Sequence, residues 1–309
     1  MADNNSSRVP HHPLSETKSL HREPKRGLPR GIVIGGGVGP MAGVMLHEKI
    51  IQQTVTDGTD QGHLDVIHVS CSRLIADRTA FVLGKTSRNP GRAMGELVNA
   101  GLVCLRRCEE TDGDTQLEKP GSNGIAGDPC NTFHADPIFS LFTQTVRSAH
   151  PEAVIINMIQ ETINKIGRHT RIGVLSTTGT REAGVWTAAL EKQGYKAVYV
   201  REANQKLLHE TIYHPAWGLK AKSPPSPAAI ERAARFSSEL LDKGAEKIIL
   251  GCTELPLAAR YLSSPADITS VTPGRLRGIP EQLLQAVAQG CFIDPMDMLA
   301  KALTAAAGK

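Results

Sequence analysis

Short apolar runs alternate along the chain with longer stretches that are apolar on one side only. The runs at 31–34, 65–70, 153–158, 171–176, 197–200 and 247–250 are four to six residues long and rich in Ile, Val and Leu. Runs of that kind predict strands buried on both faces, as in a parallel sheet. A very short run, Ile125-Ala126, predicts one strand more. Between the runs, 42–56, 92–108, 181–193 and 228–243 carry apolar residues at helical spacing, and another helix begins within 161–166. Val44, Met45, Leu46, Ile50 and Ile51 mark the first such face; Met94, Leu97, Val98 and Leu102 mark the second. Strand and helix alternate throughout, which predicts an α/β fold with mainly parallel sheets. Three polar, Gly- or Pro-rich stretches, 111–124, 215–227 and 263–290, interrupt the alternation and read as insertions.

The alternation occurs twice, and each half contains the same short phrase. An apolar strand ends in a small residue or proline, then Cys, then a polar pair containing Thr. The phrases are Pro129-Cys130-Asn131-Thr132 and Gly251-Cys252-Thr253-Glu254, with the cysteines 122 residues apart. That separation is about one α/β domain. A duplicated architecture places both cysteines at equivalent strand C-termini, where open α/β sheets bind ligands. Two such domains face to face would set the thiols on opposite walls of one cleft.

Composition narrows the partners. Apolar residues make up 40 % and charged residues 21 % of 309, the balance of a globular protein. Aromatics at 4 % are too few for a base-stacking surface. The net charge is +4, of which six basic and three acidic residues put +3 in residues 1–30. The rest is nearly neutral, so no nucleic-acid partner is expected. No apolar run is long enough to span a bilayer, so no membrane partner is expected. Residues 1–29 lack the apolar core of a secretory signal and read as a disordered, solvated tail. The six cysteines are spread along the chain, which favours free thiols in a reducing, cytoplasmic setting over a disulfide framework. Cys104 and Cys108 stand at i, i+4, but no second pair at zinc-ligand spacing accompanies them, so no metal site is expected.

Opposed thiols suit one kind of chemistry. Inverting a stereocentre at Cα needs a proton removed from one face and another delivered to the other face. A thiolate serves as the base when nearby donors or a helix N-terminus lower its pKa, while a neutral thiol opposite serves as the acid. Neither pyridoxal phosphate nor a metal is required, and no cofactor is expected. Buried cysteines are more often plain core residues. Cys71, Cys104, Cys108 and Cys291 lack the paired context and keep that reading.

At these residues the chain resembles the aspartate/glutamate racemase family. The likeness runs over most of 31–300. It rests on Gly35-Gly36-Gly37-Val38-Gly39-Pro40, Asp77-Arg78-Thr79, the two cysteine phrases with His134 and with Leu255-Pro256, Thr177-Thr178-Gly179-Thr180, and Asp294-Pro295. The resemblance implies two pseudo-symmetric three-layer α/β domains with the active site between them. The expected division is 31–148 together with about 292–309, and 150–290. It implies a homodimer, a small amino-acid substrate, and Cys130 and Cys252 as a two-base pair. By the same resemblance, Asn131, Thr132 and Thr253 bind the substrate α-carboxylate and Arg78 meets a carboxylate. Gly39, Ser72, Thr177, Thr178, Thr180 and Glu254 complete the site, and His134 supports the first cysteine.

Three departures bear on substrate. Ser72 stands where family members often have Asn. Glu182 follows Arg181 where acidic-substrate members often have a basic residue. Asp128 stands beside Cys130, and an acid so close raises a thiol's pKa. An acidic amino acid is the expected substrate. A broader amino-acid racemase, a related isomerase or decarboxylase, and an inactive binding homologue stay open.

Overall fold

The computed structural model describes residues 31–110, 124–263 and 279–308. The sequence-predicted tail and most of the insertion at 111–124 lie outside the described residues. So does the middle of the stretch at 263–290. Two four-stranded sheets form the frame, and every strand pairing in them is parallel.

The first sheet has the order β2-β1-β3-β4, with β1 Gly31–Gly35, β2 Asp65–Val69, β3 Ile125–Gly127 and β4 Val154–Ile156. The second has the order β6-β5-β7-β8, with β5 Arg171–Ser176, β6 Lys196–Val198, β7 Lys247–Gly251 and β8 Phe292–Ile293. In each sheet the strand that leads to a cysteine, β3 or β7, is an inner strand. Ile32, Val33 and Ile34 on β1 and Ile248 and Ile249 on β7 are fully buried. Their unbroken apolar runs therefore have helices to meet on both faces.

The chain passes between the halves twice. After β4 it forms α5, Met158–Ile163, and crosses to β5. After β8 it returns through Asp294 into the last helix, α12, Pro295–Ala306. That helix packs against β3, against α5 and against α1, Pro40–Gln53. Asp294 caps it by accepting from the Met296 N–H at 2.9 Å and pairs with Lys49 of α1 at 3.1 Å. The strand at 154–156, read from sequence as the opening of the second half, is thus hydrogen-bonded into the first sheet. The strand at 292–293 belongs to the second sheet, although the helix after it belongs with the first.

The helix expected over 181–193 is two. α6, Thr178–Glu182, and α7, Val185–Glu191, meet at Gly184, whose φ of +63° is left-handed backbone that glycine adopts without strain. Trp186 and Leu190 of α7 are fully buried in a core cluster that also holds Ile32, Met158 and Leu299. One apolar core therefore continues from the first half onto a face of the second sheet. A second cluster, with Leu208, Ile230, Leu240 and Leu283, covers the opposite face.

Candidate active site

The C-terminal ends of β1, β3, β5 and β7 converge on one small cavity. Arg78, Thr79, Cys130, Asn131 and Thr132 line it from the first half. Thr177, Thr180, Tyr213, Lys220, Gly251, Cys252 and Thr253 line it from the second, and Val38 of the glycine-rich loop is also present. The cavity volume is about 20 Å³, room for about one water. An amino acid needs more room than this closed cavity offers.

Local chemistry places each side chain. Asp77 caps α2, Arg78–Val82, by accepting from the Ala80 N–H at 2.5 Å, and so sets Arg78 in the first turn. Thr177 caps α6 by accepting from the Thr180 N–H at 3.2 Å. The Thr180 hydroxyl lies 3.0 Å from that of Thr177 and 2.7 Å from that of Thr132 in the other half. Across the same seam, a Cβ on Gly179 would come within 2.4 Å of the Thr79 hydroxyl, so only glycine allows the halves to approach this closely.

The two thiols have different settings. Cys252 donates to Glu254 Oε2 at 3.0 Å, and the Thr253 hydroxyl donates to the same oxygen at 2.9 Å. The other oxygen, Oε1, accepts from the Lys220 ammonium. Burial pushes the Cys252 pKa well up and Glu254 adds to the rise, against the pull of Lys220. Burial also opposes the charge on Glu254, yet Lys220 and the hydrogen bonds it accepts hold its pKa below the usual value. Cys252 is therefore held as a thiol, with its S–H directed at a carboxylate.

Cys130 faces a cation instead. Burial raises its pKa, the Arg78 guanidinium lowers it, and Asp128 raises it again. Arg78 also lines the cavity, and its guanidinium and the Cys130 thiol favour each other's charged forms. The Asp128 carboxyl accepts from the Cys130 N–H at 2.7 Å through Oδ1. Behind Cys130, His134 is fixed in one tautomer. Its Nε2 accepts from the Met158 N–H at 3.2 Å, so its Nδ1–H donates to the Cys130 carbonyl at 3.0 Å. Burial lowers its pKa to about 4. The ring is a neutral clasp between the cysteine turn and the start of α5.

Most of the residues expected from sequence meet here. Arg78, Cys130, Asn131, Thr132, Thr177, Thr180, Cys252 and Thr253 line the cavity. Gly39 lies just behind it, where a Cβ would stand 3.1 Å from Glu254 Oε1 and 3.2 Å from Lys220 Nζ. Ser72 is exposed and packs beside Gly37 rather than on the cavity. Thr178 is off the lining too, its N–H donating to His209 Nδ1 at 3.3 Å. Glu182 is exposed, and Arg181 turns away to Glu202 at 2.8 Å and to Gln205 at 3.1 Å. Glu182, which in a cleft-facing position would make a second substrate carboxylate less welcome, thus stays out of the cavity. Sequence reasoning missed Tyr213 and Lys220. Lys220 lies inside the insertion at 215–227, with its ammonium 5.3 Å from the centroid of the Tyr213 ring. Nothing local in Gly-Leu-Lys-Ala marks it as a cavity residue.

Comparison with known proteins gives the following. A family model described as Asp/Glu/Hydantoin racemase matches residues 36–303. A glutamate racemase from Pseudomonas paraeruginosa is 25 % identical over 217 residues, covering 69 % of this chain and 74 % of that protein. The solved structure of Picrophilus torridus aspartate racemase superimposes with a TM-score of 0.58 at 22 % identity, covering 90 % of this chain and 94 % of that one. An aspartate racemase homologue from Pyrococcus horikoshii gives 0.56 at 17 % identity, covering 91 % and 100 %. These structures show that the two-domain α/β fold is shared.

Proposed function

The chain belongs to the Asp/Glu/Hydantoin racemase family, and on that footing we propose that it interconverts the L- and D-forms of aspartate or glutamate by proton transfer between Cys130 and Cys252. The observation that carries this reading is the cavity itself. One thiol from each half lines it, with Arg78 near the first and Lys220 near the second. A thiolate at Cys130 would take the α-hydrogen as a proton, leaving the electron pair of the broken C–H bond on Cα and its carboxylate. The Cys252 thiol would deliver its own proton to the opposite face and become the thiolate. The reverse reaction exchanges these roles. Carbanion stabilisation falls to donors that surround the substrate carboxylate: the Asn131, Thr132 and Thr253 side chains. Two cations suit a substrate with two carboxylates, and Arg78 offers a fork that can bind one of them bidentately. The pathway needs neither pyridoxal phosphate nor a metal.

The test is exchange of the α-hydrogen of L- and D-aspartate and glutamate for solvent deuterium by the purified chain, with no cofactor added. Exchange with either amino acid is expected, and Cys130→Ser and Cys252→Ser should each abolish interconversion. Two single variants that keep the full rate would remove the cysteine pair from the chemistry. Binding of aspartate in a thermal-shift assay without any exchange would favour an inactive homologue.

A homodimer belongs to the same proposal. Met41, Val44, Ile51 and Val55 form an exposed apolar row on one side of α1 and just past its end, a face that a second copy could cover. Light scattering of the purified chain tests it. The free thiols suit a reducing, cytoplasmic setting.

A further inference from the structure

Each proposed catalytic thiol has a carboxyl group two residues away in sequence and a cation nearby. Cys252 has Glu254 and Lys220; Cys130 has Asp128 and Arg78. The two sets are not equivalent. Glu254 is saturated, receiving the thiol, the Thr253 hydroxyl and the Lys220 ammonium. Asp128 is 1 % exposed, and its second oxygen, Oδ2, is buried with no hydrogen-bond partner. The two-cysteine reaction makes no use of this residue.

We propose that Asp128 is a positioning residue that governs the charge of Cys130. Its carboxyl anchors the cysteine main chain and stands with the sulfur in the field of the Arg78 guanidinium. This inference rests on the two-cysteine reading above.

The groups that face the pair are few. Arg78 comes from α2; Lys220 and Tyr213 come from across the cavity. His134, on the same turn, is neutral with both ring nitrogens occupied. From α12, Leu299 and Leu303 lie against Gly127, beside Asp128. One nearby guanidinium therefore serves two groups that can each become anionic. Two negative charges so close oppose one another, so once one group has lost its proton the other holds its own more firmly. Burial with a bare oxygen favours the protonated acid, and Asp128 is raised well above the usual carboxylate range by that burial. While Asp128 keeps its proton, the whole of Arg78 is available to a Cys130 thiolate. Once Asp128 ionises, Cys130 stays a thiol to higher pH.

The test follows the thiol and not the turnover. Asn at position 128 keeps an oxygen for the Cys130 N–H and carries no charge. Alkylation by iodoacetamide, read at each cysteine by peptide mass spectrometry from about pH 6 to about pH 10, reports each thiolate fraction. In the wild type Asp128 loses its proton before Cys130 does and then holds the thiol proton back; in Asp128→Asn the Cys130 midpoint should therefore fall by about one unit, so alkylation below the wild-type midpoint runs about tenfold faster. The Cys252 midpoint should not move. If Asp128→Asn does not fold, Asp128→Ser is neutral, also offers an oxygen, and should shift Cys130 the same way. An unchanged Cys130 midpoint in the folded variant overturns the proposal, and so does an equal shift at both cysteines. The readout needs no substrate. A wild-type chain that exchanges no amino acid would sink the racemase reading and leave this comparison standing.

Discussion

The Thr132 hydroxyl of the first half and the Thr180 hydroxyl of the second lie 2.7 Å apart, both buried at the cleft. Thr180 also touches Thr177, so one hydroxyl joins the two halves to the cap of α6. Thr180→Val keeps the shape and removes that link, leaving two buried hydroxyls short of a partner. We expect a loss of about 1–3 kcal/mol in urea unfolding, with a clear fall in α-hydrogen exchange. A variant as stable and active as wild type would show that the hydroxyl is dispensable.

Lys220 anchors Glu254 and faces Cys252. Lys220→Met removes the charge at similar length and leaves a buried carboxylate unpaired, at a cost of about 3 kcal/mol. Exchange with aspartate or glutamate should fall much further than exchange with any neutral amino acid that the enzyme accepts. Lys220→Arg should recover part of the loss. Equal losses for acidic and neutral substrates would place Lys220 in support of the thiol alone.

His134 makes stability depend on pH. Its pKa is lowered by burial to about 4 in the folded chain from an ordinary value of 6.5. Between those values the unfolded chain binds a proton that the folded chain does not. Stability is therefore full above about pH 6.5 and declines as pH falls towards 4, by about 3 kcal/mol from this group. Burial lowers the pKa of His68 and His209 too, with the same sign. His134→Asn should be less stable at neutral pH, because the Met158 N–H loses its acceptor. Urea melts at pH 7 and pH 5 should differ less for the variant than for wild type.

The close approach of Gly179 and Thr79 can be probed from both sides. Gly179→Ala places a methyl 2.4 Å from the Thr79 hydroxyl and 2.8 Å from its Cβ. The halves must then sit further apart, costing about 1–3 kcal/mol and most of the exchange activity. Adding Thr79→Gly should restore part of both. Failure of the second change to help would locate the damage within α6.

Where burial decides the pattern, the sequence was readable. β1, β5 and β7 are buried on both faces, and their unbroken Ile, Val and Leu runs announced them. The cysteine phrases were readable because the strand end and the reactive residue are adjacent in sequence. Other features depend on contacts between distant segments. The strand at 154–156 pairs with β3, and no local signal says which half it joins. The break at Gly184 is one left-handed residue inside an otherwise helical pattern. Lys220 reaches Glu254 only because the turn after α8, Glu202–Tyr213, folds back over the cleft. Ser72 and Glu182 were placed by motif position alone, and their exposure is set by how the loop around Gly37 and the turns of α6 pack.

The double passage of the chain between the halves has a mechanical consequence. A single tether would let one half swing in any direction from the other. Two connections, one after α5 and one at Asp294, leave rotation about the line that joins them as the easy motion. The cleft then opens like a book with a spine, not like a pair of beads on a string. Asp294, held by Lys49 while it caps α12, lies on that spine. A proteolytic cut at one connection alone would leave the halves joined by the other connection and by the apolar core they share.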